Sequence, residues 1–307
     1  MGVASYCIAG LFKAKLSPQC NWHSSLNTDN RLIPLLEHSI LIQLNMAISH
    51  RALATAFRAL HVPGKPIIVT NCYDAISAKT IADIPSTRAL ATASYAIAAA
   101  AGSTDDDMTL ETNLAAVSGI AKVAKERGLP LTVDFQDGYG DRLEEGIEKL
   151  LAHGVVGVNI EDWDKAAQKF IPIETAADRV KRVLTVTKKH GIDDFVVNAR
   201  ADSMLHGESL SDALTRGKAY LAAGATTIFV LGGTNPAGGM SKEEVTEAVR
   251  ALDGKVNIGF KLDPARLSIK ELSDLGISRI SVGPTLQFVA MKALKEEAEK
   301  ILASGEL

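Results

Sequence analysis

From residue 67 onward the chain alternates between two textures. Short apolar, β-branched runs recur at IIVTN (67–71), ALATAS (89–94), LTVDF (131–135), VVGVNIE (155–161), FVVNAR (195–200), TTIFVLG (226–232), KVNIGF (255–260) and RISVG (279–283). Near-continuous hydrophobicity over so few residues is what a parallel strand shows when both its faces are buried. Between the runs lie helical stretches such as TLETNLAAVSGIAKVAKERG and PIETAADRVKRVLTVTKKHG. The second begins with proline and acid and ends on Lys-Lys-His-Gly, the expected helix polarity. Eight strand–helix units over about 240 residues predict an α/β fold, a (β/α)8 TIM barrel, for which about 250 residues is usual. A doubly wound sheet is the rival, but the first strand runs into NCYDAISAKT with no G-x-G-x-x-G. Just before the barrel, AISHRALATAFRALHV predicts an amphipathic helix with Leu53, Phe57 and Leu60 on one stripe.

The first 46 residues differ. They are poor in acids, with only Asp29 and Glu37, and carry Ser, Asn and scattered bases. We expect residues 1–46 to be an N-terminal extension, disordered or targeting, and 47–307 to be a single barrel domain. The compartment expected is the cytoplasm, or the mitochondrion if the extension is a transit peptide. The whole chain has 307 residues, is 47% hydrophobic and 22% charged, and has a formal net charge of −3. That balance gives no electrostatic case for nucleic acid, and no apolar run is long enough for a bilayer. Cys7, Cys20 and Cys72 are too few and scattered for a disulfide framework or a zinc site.

In a barrel of this kind chemistry belongs at the C-terminal strand ends. Those of the first five strands carry Asn71 and Asp74; Ala93, Ser94 and Tyr95; Asp134, Gln136 and Asp137; Asn159, Glu161 and Asp162; Asn198, Arg200 and Asp202. The last three ends are mostly glycine and apolar, with Gly232-Gly233, Lys261 and Gly283-Pro284. Turn propensity would scatter polar residues around the ring, whereas here they cluster. Asp134, Glu161 and Asp162, on neighbouring strands, predict an oxygen-ligand site for Mg²⁺ or Mn²⁺; single helix caps are the alternative. The Arg200 guanidinium suits a substrate carboxylate, or else pairs with Asp202 or Glu161. The small residues of TASYAIA leave backbone N–H groups able to approach an anion. Together these describe a site for a small 2-oxo or 2-hydroxy carboxylate, whose metal would stabilise an enolate as a bond to carbon breaks.

The order of NCYDAISA (71–78), ALATASYAIAAAAG (89–102), VDFQDGYGD (133–141), GVNIED (157–162), VNARAD (197–202), IFVLG (228–232) and RISVGPTL (279–286) resembles the isocitrate lyase/phosphoenolpyruvate mutase superfamily. Within it the chain looks like a phosphoenolpyruvate phosphomutase-like or carboxyvinyl-carboxyphosphonate phosphorylmutase-like member. The resemblance implies a Mg²⁺-dependent barrel in a homotetramer or dimer, its last helix swapped between subunits, working through a pyruvate enolate. Carried over by position, Asp134 is the metal ligand, with Gln136 and Glu161 completing the metal set. Asp105, Glu161 and Arg200 are the catalytic group. Ala93, Ser94, Tyr95, Asn198 and Arg200 bind the substrate.

Three departures shape the functional expectation. Gln136 stands where relatives have a second acid, and Asp137 is the residue that could compensate. After the fourth strand, WDKAAQKFIP lacks the cysteine of the lyase loop. It also lacks the Pro-Lys and Asn-Ser of the mutase loop. Lys165 and Lys169 read there as surface lysines, and Cys72 as a buried small residue. The expected activity is therefore Mg-dependent C–C cleavage or decarboxylation of an oxaloacetate-like 2-oxo or 2-hydroxy acid, because departing CO2 needs no loop acid. The alternatives are a non-catalytic metal- or carboxylate-binding barrel and, behind it, a P–C mutase or acyl hydrolase.

Overall fold

The computed structural model describes residues 50–305; the extension 1–46 and the domain boundary expected after it lie outside these residues. Within them the eight predicted runs are the eight strands of a parallel barrel. The first is interrupted at Thr70 into β1 (Ile67–Val69) and β2 (Asn71–Cys72). β3 (Leu90–Thr92), β4 (Leu131–Asp134) and β5 (Gly157–Ile160) follow. A small antiparallel hairpin, β6 (Trp163–Asp164) with β7 (Lys169–Phe170), comes next. β8 (Val196–Ala201), β9 (Thr227–Val230), β10 (Val256–Gly259) and β11 (Arg279–Ser281) complete the ring. The sheet order runs β1-β11-β10-β9-β8-β5-β4-β3-β2, so the two halves of the first strand close it from opposite sides. Asn71 staples this closure. Its Oδ1 accepts from the N–H groups of Val282 and Gly283 at 3.1 and 2.8 Å, and its Nδ2 donates to the Thr92 carbonyl at 2.6 Å. One of the polar strand ends is therefore structural.

The helices between the strands form where caps and apolar stripes coincide. Helix Leu110–Arg127 starts on Thr109, whose hydroxyl accepts from the Thr112 N–H, and stops at Gly128 in a left-handed conformation. Helix Ile173–Lys189 buries Ala176, Val180, Val183 and Val186 on one face. The helix over 50–59 lies at the N-terminal end of the barrel. His50 Nε2 is 2.9 Å from the Val155 carbonyl, Arg51 donates to the Gly191 carbonyl, and the Phe57 ring sits against Gly157 at the start of β5. Phe57 is buried, with Leu53 and Leu60 half-buried beside it. That end of the barrel is plugged, and the C-terminal end is left for the site.

The barrel interior is more polar than the strand hydrophobicity implies. Asn198 is fully buried; its Nδ2 donates to Asn159 Oδ1 at 2.9 Å and its Oδ1 accepts from the Thr227 hydroxyl at 2.7 Å. Arg279, on β11, reaches Asn159 Oδ1 at 3.3 Å and Ser281 Oγ at 3.4 Å. Cys72 donates its thiol to the Ala91 carbonyl at 3.2 Å, and burial pushes that thiol up to about 12, so it is an inert packing residue. The C-terminal helix Thr285–Ala303 exposes Phe288, Val289, Met291, Leu294, Ile301 and Leu302. No helix among the described residues is long and apolar enough to cross a membrane.

Candidate active site

A cavity of about 430 Å³ opens at the C-terminal ends of the strands, and Ala93, Ser94, Tyr95, Asp105, Asp134 and Arg200 line one side of it. Asp134 ends β4. Its Oδ2 accepts from the Ser94 N–H at 3.0 Å, and its Oδ1 is buried without a hydrogen-bond partner. Ser94 and Tyr95 begin helix Ser94–Ala100, whose first N–H groups have no carbonyl one turn back. Ala93 caps it with no side-chain bond, so the opening of the helix presents backbone donors beside Asp134. The Tyr95 ring itself turns outward and meets Phe288 edge-on at 5.7 Å.

Glu161, one residue past β5, is fully buried. Arg200 Nη1 approaches its Oε1 at 2.6 Å, yet neither carboxylate oxygen has a partner of good hydrogen-bond geometry. Burial, reinforced by Asp202 and Asp134 and opposed by Arg200, pushes its carboxyl well above the usual range. Arg200 also forks onto Asp202, Nε to Oδ1 at 2.6 Å and Nη2 to Oδ2 at 2.7 Å. Burial works against this guanidinium, but the two acids hold it charged.

Gln136 adopts a left-handed backbone with φ of 49°. Its carbonyl receives the Glu161 N–H at 2.8 Å, and its Nε2 donates to the Asp105 carbonyl at 2.7 Å and to Asp105 Oδ1 at 3.1 Å. Lys165 completes this corner: its Nζ lies 3.0 Å from both Asp105 Oδ2 and the Asp105 carbonyl. Although burial works against it, Glu161 and Asp105 raise the ammonium's affinity for its proton.

The structure sorts the remaining sequence candidates. Asp162 leaves the metal set. Its oxygens accept from the Asp202 N–H at 3.0 Å, the Tyr220 hydroxyl at 2.7 Å and Arg216 at 3.3 Å, so it braces the outer face of the barrel. Asp137 does not compensate for Gln136, because its carboxylate binds the Tyr139 N–H of its own loop and Arg179 on helix Ile173–Lys189. Asp74 caps helix Ala75–Ala82 in a box with Ser77. Asn198 is corrected from a substrate contact to an interior residue. Register places it opposite Asn159 and Thr227, where both amide atoms are already bonded.

Lys165 is not the surface lysine that the sequence suggests: its side chain is only 18% exposed. The hairpin carries it inward: Trp163 meets Phe170 edge-on at 4.9 Å and stacks on His206 at 3.6 Å, while the Arg216 guanidinium lies 4.6 Å over the Phe170 ring. The aromatic pair flanking a polar turn was the available signal for that hairpin. Lys169, on the opposite strand of the hairpin, is exposed as expected.

Do these residues fit a divalent cation? Among the described residues no group of three His, Cys, Asp or Glu is placed to hold one. Mg²⁺, however, commonly takes one or two carboxylates and keeps several waters. Three buried carboxylate oxygens without hydrogen-bond partners, Asp134 Oδ1 and both of Glu161, match that smaller requirement.

An eight-stranded parallel barrel with a carboxylate-bearing C-terminal face is consistent with the phosphoenolpyruvate mutase/isocitrate lyase superfamily, and comparison with known proteins places the chain there. Residues 57–302 match the phosphoenolpyruvate phosphomutase family, and the chain belongs to it. It is 30% identical to the structure of a candidate phosphonomutase of Burkholderia cenocepacia J2315, with a TM-score of 0.73 over 82% of this chain and 99% of that one. The structure of 2,3-dimethylmalate lyase is 25% identical with a TM-score of 0.72, over 82% and 88% of the two chains. An uncharacterized protein of Mycobacterium tuberculosis (strain ATCC 25618 / H37Rv) is 28% identical over 82% of this chain and 90% of its own. The oxaloacetate decarboxylase of Rhodopseudomonas palustris is 28% identical over 58% of this chain and 62% of its own length.

Proposed function

We propose that the chain is a magnesium-dependent carbon–carbon lyase acting on a small 2-oxo or 2-hydroxy carboxylic acid through a pyruvate-type enolate. Decarboxylation of an oxaloacetate-like substrate is the simplest form. The observation that carries this reading is that Asp134, which lines the cavity, and Glu161, buried at the end of the neighbouring strand and ion-paired to Arg200, keep carboxylate oxygens without hydrogen-bond partners. Similarity to the oxaloacetate decarboxylase and to 2,3-dimethylmalate lyase supports the lyase direction.

Asp134 and Glu161 would hold Mg²⁺ or Mn²⁺, with the Gln136 side chain beside them, and the cation would supply positive charge to the developing enolate oxygen. The N–H groups that follow Ser94 at the opening of helix Ser94–Ala100 orient the substrate carboxylate, while the Ser94 N–H stays on Asp134. Arg200 keeps Glu161 and Asp202 neutralised at the cavity wall. Lys165 and Gln136 hold Asp105 in one place at the cavity wall. The bond to the departing carboxylate breaks, its electron pair stays on carbon as the enolate, and water returns a proton there.

A second reading, a barrel that binds a carboxylate without turnover, is favoured by one contact. Arg200 at 2.6 Å already supplies Glu161 with a counter-charge that a cation would otherwise provide. Assaying the purified protein against a panel of 2-oxo acids and methylisocitrate-like acids, with and without Mg²⁺, separates the two. Pyruvate release only with Mg²⁺ is the expected result; no turnover, together with no Mg²⁺ heat by calorimetry, sinks the enzyme reading.

The same proposal includes a homo-oligomer, a tetramer or dimer that exchanges its last helix. A surface helix bearing Phe288, Val289, Met291, Leu294, Ile301 and Leu302 outward needs a cover. Sedimentation equilibrium should return a multiple of the chain mass, and a strictly monomeric solution would contradict the assembly.

A further inference from the structure

The cavity has two unlike halves. The half described above carries Asp105 and Asp134, which are its acids. The other half lies at the ends of β9, β10 and β11, the strand ends that looked empty of chemistry. Phe229, Leu231, Met240, Ile258 and Phe260 wall it, and Lys261 and Arg266 stand at its edge. Among the described residues neither cation has an ion-pair partner within 4.0 Å, and the nearby Asp263 carboxylate accepts from the Ala265 N–H at 2.9 Å. The Arg266 guanidinium lies against Gly239, a left-handed glycine where any Cβ would land on it. Asn235 ties the two loops through the Ala265 carbonyl at 3.4 Å.

Gly259 is the second observation. Its backbone is not in the left-handed region, and a Cβ there would make only ordinary contacts, at 3.7 Å to Phe229 and 3.9 Å to Leu231. Neither conformation nor packing requires glycine at the end of β10. What lies over it is the cavity itself. An unbranched C4 acid would leave the apolar wall of this room uncovered, since pockets of roughly 300–1,000 Å³ accommodate drug-sized ligands.

We infer that this half is a subsite for the far end of the substrate: an alkyl or aryl substituent against Phe229, Ile258 and Phe260, and a second anionic group at Arg266 and Lys261. The inference rests on the lyase reading above and narrows its substrate to a diacid bearing an apolar branch. Such a ligand loses apolar surface to the wall and gives two unpaired cations a partner.

The test uses inert probes and calorimetry on the full chain in Mg²⁺. Oxalate reaches only the polar half; succinate and 2-butylsuccinate span both. In the wild type 2-butylsuccinate should bind about tenfold or more tightly than succinate. Gly259→Val should erase that preference by filling the room, and leave oxalate binding unchanged. Arg266→Met should weaken both succinates about tenfold, again without touching oxalate, so either variant suffices if the other fails to fold. Oxalate bound with no preference for the butyl compound overturns the subsite alone. Failure of oxalate to bind the wild type overturns the lyase reading, and the subsite falls with it.

Discussion

Asp134→Ala should abolish Mg²⁺-dependent turnover, with a loss of about a hundredfold to a thousandfold or more, and should remove the calorimetric Mg²⁺ signal. The reason is local. Asp134 has one oxygen committed to the Ser94 N–H and one buried without a partner. A buried carboxylate oxygen left unpaired costs stability, so a fold that keeps it keeps it for something that binds there. The alanine variant loses both oxygens, and with them the tie between β4 and the start of helix Ser94–Ala100. Asp134→Asn is the informative companion. It is isosteric, retains an acceptor for the Ser94 N–H, and lacks only the charge. If the charge serves a cation, both variants lose Mg²⁺ binding while the asparagine keeps its unfolding midpoint. Full activity with an undiminished Mg²⁺ heat in Asp134→Ala would refute the site.

Arg200→Met should cost more in stability than a substrate-binding residue ordinarily would, about 3–5 kcal/mol. The sequence leaves open whether its guanidinium meets a substrate carboxylate or pairs with Asp202 or Glu161. The structure shows its guanidinium shared between Glu161 at 2.6 Å and Asp202 at 2.6 Å, with both acid side chains fully buried. Removing the cation strands two carboxylates beside each other, and the penalty is that of uncompensated buried charge rather than of one lost contact. Adding Asp202→Asn to the same chain should recover part of the loss, because one stranded charge is then gone. Urea unfolding with a constant m-value measures both effects. A change below about 1 kcal/mol in Arg200→Met would mean that water already reaches the pair.

Much of this was legible in the linear chain. Strands buried on both faces read as short apolar runs, and all eight appear where those runs lie. A barrel puts the residues just beyond its strands around one opening, so Ser94, Asp134 and Arg200 were bound to meet there. Asp105 also reaches the cavity, though from the loop after helix Ser94–Ala100. The direction of each side chain at that opening was not legible. Asp162 and Glu161 are adjacent in sequence, yet alternation sends one outward to Tyr220 and Arg216 and the other inward to Arg200. Asn198 looks like a site residue until register sets it against Asn159 and Thr227.

Lys165 shows the limit most clearly. Whether it is a solvated lysine or a partner of Asp105 depends on Trp163 stacking on His206 and on Arg216 lying over Phe170, contacts between residues far apart in sequence. The empty-looking ends of β9 to β11 are similar, since only the closed ring turns their glycine and apolar residues into one wall of a cavity. The sequence by itself determined the barrel, because periodicity and burial are local properties of each strand. The tertiary structure decided which charges face one another, because pairing energies depend on distances that no spacing along the chain records.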